Sequence, residues 1–186
     1  MNEQVRISSD QEWRVAFTAA DFERMMRLGA FADMRAELAE GVLEKMMPAL
    51  PPHGERNVSL ALQLRGVLPD ARFRIASDLA IRIAETTVRA ADIAVYTSNL
   101  APDRMPEGKD MLLVVEIADT TLSRDLGVKL VDYGRSGVPN YWVIDAAAQV
   151  VRVMTDPQTD GYRVQETFRF GEPVPVPGSD ATITLD

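Results

Sequence analysis

The sequence predicts a single α/β domain built around a mixed central β-sheet. Residues 112–115 form an uninterrupted apolar run that ends at Glu116, which is typical of a strand buried on both faces. A helical pattern over residues 124–135 and a strand pattern over residues 141–144 follow, and together they make a βαβ-like unit. Hairpin patterns elsewhere add antiparallel strands, so we expect both strand directions in the sheet.

Composition narrows the class of protein. The chain has 186 residues, of which 46% are hydrophobic, enough for one domain with a sizeable core. No apolar run approaches the roughly 20 residues that span a bilayer, so we expect no membrane segment. The absence of cysteine excludes disulfides and thiolate metal sites and fits a cytoplasmic location. The net charge of −8 argues against broad electrostatic affinity for nucleic acid, although a local basic patch is compatible with it.

Local signals place the first elements. A capping-box pattern at Thr18 and Asp21 opens a helix, and a Glu40-Gly41 turn joins two strand patterns. The predicted elements are a lead-in over residues 1–17, a helix over 19–28, a hairpin with arms 34–38 and 42–47, and a helix that His53 opens and Pro69 closes.

The rest of the chain is rich in strands. Alternating apolar residues and turn signals mark each one. The predicted strands are 72–76, 79–83, 86–90, 92–96 and 111–118, followed after the helix by 141–144 and by a hairpin of 150–154 with 162–170. We expect the domain to span residues 18–170, with a proline-rich tail over 171–186 packed on it.

Two carboxylates stand out because they lie in or beside buried strands. Glu116 interrupts the central apolar strand, where removing an unpaired carboxylate from water would cost roughly several kcal/mol. It therefore needs either a structural ion pair or a metal. Asp92 begins an apolar strand and is either a turn residue or a second ligand, if its strand neighbours that of Glu116. Two carboxylates without cysteine suit a hard cation such as Mg²⁺ or Mn²⁺.

Lys129 follows on the predicted helix and has two interpretations. It lies four residues after Asp125, the spacing of an ordinary surface ion pair. It also shares a helix face with Tyr133, and its long side chain could reach back over the end of the sheet. The residues alone leave both interpretations open.

These residues resemble the Uma family of restriction-endonuclease-like proteins, within the PD-(D/E)xK nuclease superfamily. The resemblance covers roughly residues 18–155 and is most specific between Val115 and Asp145. The matching features are Glu37-Leu38, Glu40-Gly41, the proline-rich turn before His53, Ala91 to Val95, Val115 to Thr121, Asp125, Lys129-Leu130, Tyr133, Gly137 to Pro139 and Tyr141 to Asp145.

The resemblance implies a restriction-endonuclease-like mixed sheet flanked by helices and a metal-dependent endonuclease that hydrolyses phosphodiester bonds in DNA. It implies Mg²⁺, with Mn²⁺ as a substitute, held by Asp92 and Glu116. The superfamily places its lysine two residues after the second acid, where this chain has Ala118. In this family the lysine is displaced onto the next helix, which matches Lys129.

Other matches are auxiliary. Glu37 corresponds to an upstream acid of the family, and His53 to a histidine that has either a catalytic or a supporting role. A basic surface for DNA would come from Arg72, Arg74 and Arg82 together with Arg89, or from the arginines of residues 24–35; solvated outer faces are the alternative. By analogy with restriction endonucleases we expect a homodimer. The competing functions are a binding module of the same fold without catalysis and a nuclease for small or structured nucleic acid.

Overall fold

The structure is a computed structural model that describes residues 15–48 and 50–186. Most of the predicted N-terminal lead-in, residues 1–14, lies outside the described residues. The architecture is the predicted α/β fold, in which a large mixed sheet carries helices on both faces.

The described helices and strands follow the predicted order. The helices are α1 (Ala19–Arg27), α2 (Pro51–Val67), α3 (Leu122–Asp125) and α4 (Val128–Arg135). The strands are β1 (Ala36–Ala39), β2 (Val42–Lys45), β3 (Phe73–Ala84), β4 (Thr87–Thr97), β5 (Met111–Ala118), β6 (Asn140–Asp145), β7 (Val150–Gln158), β8 (Gly161–Arg169), β9 (Val174–Pro175) and β10 (Thr182–Ile183).

The sheet is mixed because one strand pair is parallel. Its order is β2-β1-β4-β5-β6-β7-β8, and β3 pairs with β4. Strands β5 and β6 run parallel, as the βαβ-like pattern predicts, and the remaining described pairs are antiparallel. Strand β4 is central: it pairs with β1 at Val88 and with β5 from Ile93 to Tyr96, so it joins both parts of the sheet.

Two pairs of predicted strands are continuous in the structure. Segments 72–76 and 79–83 join into β3 through Asp78, which takes a φ of 54° that aspartate tolerates better than most residues. Segments 86–90 and 92–96 join into β4, so the prediction that Asp92 begins a strand was wrong. Asp92 lies inside a long strand because the alanines before it carry no chain-breaking signal.

The predicted helix over residues 124–135 is divided at Gly127. Helix α3 ends just before this glycine and α4 begins just after it. A Cβ atom on Gly127 would lie 2.6 Å from the carbonyl oxygen of Ser123, a distance that only glycine permits. The break gives α4 its own direction over the sheet.

The core has a layer on each side of the sheet. Leu60 and Leu64 of α2 pack on one face, and Tyr133 of α4 packs on the other. The C-terminal tail contributes Val174 and Ile183 to the α2 side of this core.

Candidate active site

Asp92 and Glu116 occupy facing positions on neighbouring strands. The β4–β5 register pairs Ile93 with Val115, and the two acids come immediately beyond that pair. Both side chains are buried, with 7% of Asp92 and 3% of Glu116 exposed. The expectation that their strands are neighbours is confirmed, and each carboxylate needs a compensating partner in this environment.

Glu116 receives two donors from α4. The Lys129 ammonium lies 3.0 Å from its Oε2, and the Tyr133 hydroxyl donates to its Oε1 at 2.7 Å. Burial raises the pKa of Glu116 to about 8; Lys129 opposes this rise and the Asp92 charge adds to it. A buried carboxyl with a raised pKa beside a second carboxylate is a place where a cation can replace a proton.

Lys129 is enclosed by three carboxylates. Besides Glu116, its Nζ lies 3.4 Å from Oε1 of Glu37 and 3.9 Å from Oδ1 of Asp125. Burial alone would lower the pKa of Lys129, but the three acids raise it, so the group stays charged. The contact with Asp125 is buried rather than at the surface and is the longest of the three, and the lysine does reach back to the sheet.

Contacts with β5 and with α2 orient the side chain of Asp92, and α2 lies on the face of the sheet opposite α4. Its Oδ2 accepts a hydrogen bond from the backbone N–H of Ile117 at 2.8 Å, and its Oδ1 lies 3.3 Å from Nε2 of His53. Asn57, one turn further along α2, donates to the Asp92 carbonyl at 3.0 Å. Burial tends to raise the pKa of Asp92, but the His53 and Ile117 contacts lower it below its ordinary value.

His53 bridges two acids. Its Nδ1 lies 3.4 Å from Asp119, whose carboxylate also accepts a hydrogen bond from Arg56 at 2.9 Å. The hydrogen bond with Asp92 raises the pKa of His53, although partial burial opposes the rise. This geometry is that of a group that orients Asp92.

Glu37 is the centre of a buried ionic network. Its side chain is fully buried and accepts a hydrogen bond from the Ala90 N–H at 3.0 Å. Arg89 lies 3.1 Å from Glu37 and 2.7 Å from Asp132, and Arg124 also pairs with Glu37. Burial tends to raise the pKa of Glu37, but Lys129 and the other donors lower it.

The arginines proposed for DNA do not form one cluster. Arg82 pairs with Glu23 of α1 at 3.0 Å, Arg74 donates to the Asp70 carbonyl at 3.3 Å, and Arg72 stacks over Phe73. Arg74 and Arg82 lie eight positions apart in β3, about 26 Å along a strand. The prediction that Arg89 contributes to a basic surface was wrong, because only 2% of this residue is exposed.

The donor set fits a hard divalent cation. Each carboxylate oxygen of Asp92 and Glu116 has one donor partner and retains a second lone pair. Within residues 15–48 and 50–186, no three or more His, Cys, Asp or Glu side chains form a ready metal cage. Magnesium is commonly bound by one or two carboxylates, with water and substrate completing its shell, so two ligands suffice.

Several supporting residues were not predicted as part of the site. Tyr133 lies one turn after Lys129, and that spacing was a signal for it. The Arg89–Asp132 pair joins residues that are 43 positions apart, so no local sequence pattern predicts it. In the part of the chain that is described, no helix is both long and apolar enough to cross a bilayer.

The mixed sheet flanked by helices and the family match identify a protein of the restriction-endonuclease-like nuclease class. The chain belongs to the Uma2 family, described as "Putative restriction endonuclease", whose profile matches residues 19–185. A crystal structure of "a putative nuclease belonging to DUF820" from Anabaena variabilis is similar, with a TM-score of 0.62 and 18% identity; the match covers 80% of this chain and 86% of that one. None of the curated proteins searched matches the sequence.

Proposed function

We propose that the protein is a Mg²⁺-dependent endonuclease that hydrolyses phosphodiester bonds in DNA. The observation that carries the proposal is the contact of Lys129 with Glu116 at 3.0 Å, next to the facing Asp92. Two carboxylates at facing positions of neighbouring strands, with one lysine beside them, are the chemical groups that metal-assisted phosphodiester hydrolysis needs. Membership of the Uma2 family supports the reaction class.

Asp92 and Glu116 would hold the cation, with Mn²⁺ able to substitute for Mg²⁺. A bound divalent cation supplies Lewis-acid polarisation of the phosphodiester and a water of lowered pKa. The Ile117 N–H and His53 orient Asp92, and Tyr133 orients Glu116, so both carboxylates are held before substrate arrives. This preorganisation is what the buried hydrogen bonds provide.

Lys129 supplies the fixed positive charge. Its ammonium is held by Glu37, Asp125 and Glu116, and it remains protonated because these acids raise its pKa. A charged donor at this point stabilises the negative charge that develops on the phosphoryl oxygens. Lys129 is thus the proposed replacement for the lysine that position 118 lacks.

A plasmid-nicking assay tests the proposal. The wild-type chain should convert supercoiled DNA to nicked and linear forms with Mg²⁺ or Mn²⁺ and should stop when a chelator is added. Asp92→Asn and Glu116→Gln should both abolish cleavage. Asp110→Asn is the matched control, because Asp110 is an ion-paired acid at the opposite end of β5, and it should cleave normally. Cleavage by both site variants at the wild-type rate would reject the assignment.

A binding module without catalysis is the second candidate. Two observations favour it: the charge of Lys129 is already neutralised by carboxylates, and Arg82 is paired with Glu23. If no DNA, RNA or structured oligonucleotide is cleaved with Mg²⁺ or Mn²⁺, while a labelled oligonucleotide still binds in an anisotropy assay, this candidate replaces the nuclease. Cleavage of only folded or short RNA would instead identify a nuclease for structured nucleic acid.

A further inference from the structure

The outer face of α2 is apolar and has no partner within the described chain. Every fourth residue along this face is apolar or glycine, and we name this set the α2 ridge: Leu50, Gly54, Val58, Leu62 and Gly66. Leu50 is 74% exposed, Val58 60% and Leu62 67%. The inner face of the same helix is buried through Leu60 and Leu64, so the ridge points away from the core.

Nothing in the described part of the chain explains the two glycines of the α2 ridge. Glycine in the interior of a helix is less favourable than alanine. Among residues 15–48 and 50–186, a Cβ atom at Gly54 or Gly66 would meet nothing within 4 Å beyond its chain neighbours and the helix's own backbone, so these residues do not require glycine there. Positions without a Cβ allow another backbone to approach closely.

The charges along this face are self-complementary. A two-fold axis opposite residue 60 would set Val58 against Leu62 of a second copy and Gly54 against Gly66. The same axis sets Glu55 against Arg65. Arg65 contacts Asp70 in its own chain at 2.6 Å, and these two side chains are 45% and 62% exposed, so the Arg65 guanidinium remains accessible.

We propose that the protein forms a homodimer in which two copies of α2 pack antiparallel through the α2 ridge. Two Glu55–Arg65 ion pairs would flank the apolar centre. The exposed Met47, just before the helix, extends the apolar surface toward the size that a specific interface needs, about 1,000 Å² in total. The proposal concerns assembly and does not depend on catalysis.

The dimer has a geometric consequence for the candidate site. His53, which contacts Asp92, lies seven residues from the proposed axis, so the two copies of this residue would stand about 20 Å apart along the helix direction at 1.5 Å per residue. The two candidate sites, one in each copy, would then lie at opposite ends of the pair of α2 helices. If the proposed nuclease function fails, the dimer is still testable by its mass.

Sedimentation equilibrium on the full chain tests the assembly. The wild type should show a mass near twice the monomer's 20.6 kDa. Leu62→Arg, Glu55→Arg and Arg65→Glu should each raise the dimer dissociation constant at least tenfold, whereas Glu55→Arg combined with Arg65→Glu should restore the dimer. Leu28→Arg is the control, because Leu28 is 79% exposed on α1 and should not matter. A monomeric wild type, or a dimer that tolerates Leu62→Arg, overturns the proposal.

Cross-linking tests the antiparallel arrangement itself. The chain has no cysteine, so introduced thiols report only on each other. An equal mixture of Glu55→Cys and Arg65→Cys chains should form a disulfide-linked dimer on mild oxidation, while each variant alone should not. Circular dichroism confirms that the variants fold. Cross-linking of Glu55→Cys alone would indicate a parallel arrangement and would overturn the proposal.

Discussion

The Lys129 ammonium lies 3.0 Å from Oε2 of Glu116, although the two residues belong to different elements on either side of a glycine break. Gly127 separates α3 from α4, and Lys129 in the first turn of α4 contacts the carboxylate of β5. A displaced lysine can therefore occupy the neighbourhood of the second acid while position 118 holds only an alanine.

Replacing Lys129 by methionine tests its proposed role. We expect cleavage to fall by roughly a hundredfold or more, the usual effect of losing one charge contact in the transition state. Binding of Mn²⁺ should be retained, because an ammonium repels the ion. Since Lys129 is buried among acids, the variant should also lose about 3–5 kcal/mol of stability, so activity is measured at a temperature where circular dichroism shows it folded.

The control for this experiment is Lys109→Met, which removes a lysine that is largely exposed and paired with Glu107. It should cleave like the wild type and lose less than about 1 kcal/mol of stability. Cleavage by folded Lys129→Met at the wild-type rate would contradict the displaced-lysine hypothesis, whatever the stability change.

Metal binding is a separate prediction that needs no substrate. Isothermal calorimetry should detect Mn²⁺ binding that is tighter than Mg²⁺ binding, as the usual affinity order requires. Asp92→Ala and Glu116→Ala should each remove it, since two carboxylates are the only proposed protein ligands. Asp110→Asn should bind normally. Persistent Mn²⁺ binding in both alanine variants would place the ion elsewhere.

The sequence predicted those elements of the fold that short-range sequence patterns mark. Apolar runs, the Glu40-Gly41 turn and the Thr18–Asp21 capping box are short-range signals, and each corresponds to an element in the structure. Strand continuity through Asp78 and the helix break at Gly127 depend on backbone geometry and on close contacts. No count of apolar residues reveals such contacts.

The candidate site was predictable in part for the same reason. Asp92, Glu116 and Lys129 lie in local motifs, and the structure brings them together. Arg89 lies in a strand-like segment, residues 86–90, and the sequence alone could not distinguish an outward-facing side chain from an inward-facing one. Its partners Glu37 and Asp132 are 52 and 43 positions away, and only the tertiary structure brings them together.

Arg89 should be one of the most sensitive positions for stability. It is 2% exposed and bridges Glu37 on β1 to Asp132 on α4. Arg89→Met leaves two buried acids without their shared cation, which should cost about 3–5 kcal/mol in urea unfolding. Arg89→Lys should not restore the loss, because a lysine cannot bind both carboxylates with a planar fork.

The comparison for Arg89 is Arg104→Met, which breaks an exposed pair with Asp110. We expect less than about 1 kcal/mol for it. A cost for Arg89→Met as small as that of Arg104→Met would show that the buried network adds little to stability.

The stability of the metal-free protein should fall as the pH rises from about 4.5 to about 8, in a buffer that contains a chelator. The folded state raises the pKa of Glu116 from 4.5 to about 8 because the side chain is buried. A raised pKa means that the folded state binds the proton more tightly than the unfolded chain, so the stabilisation is complete below pH 4.5 and is lost by pH 8. The raised pKa of His53 acts in the same direction above pH 6.5.

Two variants separate the contributions of Glu116 and His53 to this pH dependence. Burial also raises the pKa of Asp125, which acts in the same direction as Glu116. Glu116→Gln cannot titrate, so its free energy of unfolding should change much less between pH 4.5 and 6, where His53 adds little. His53→Gln should keep that part of the slope and lose some of the decline above pH 6.5. The lowered pKa values of Asp92 and Glu37 act in the opposite direction, but at more acidic pH. Urea titrations at each pH measure the slope, and a slope in Glu116→Gln equal to that of the wild type would show that Glu116 is ionised throughout this range.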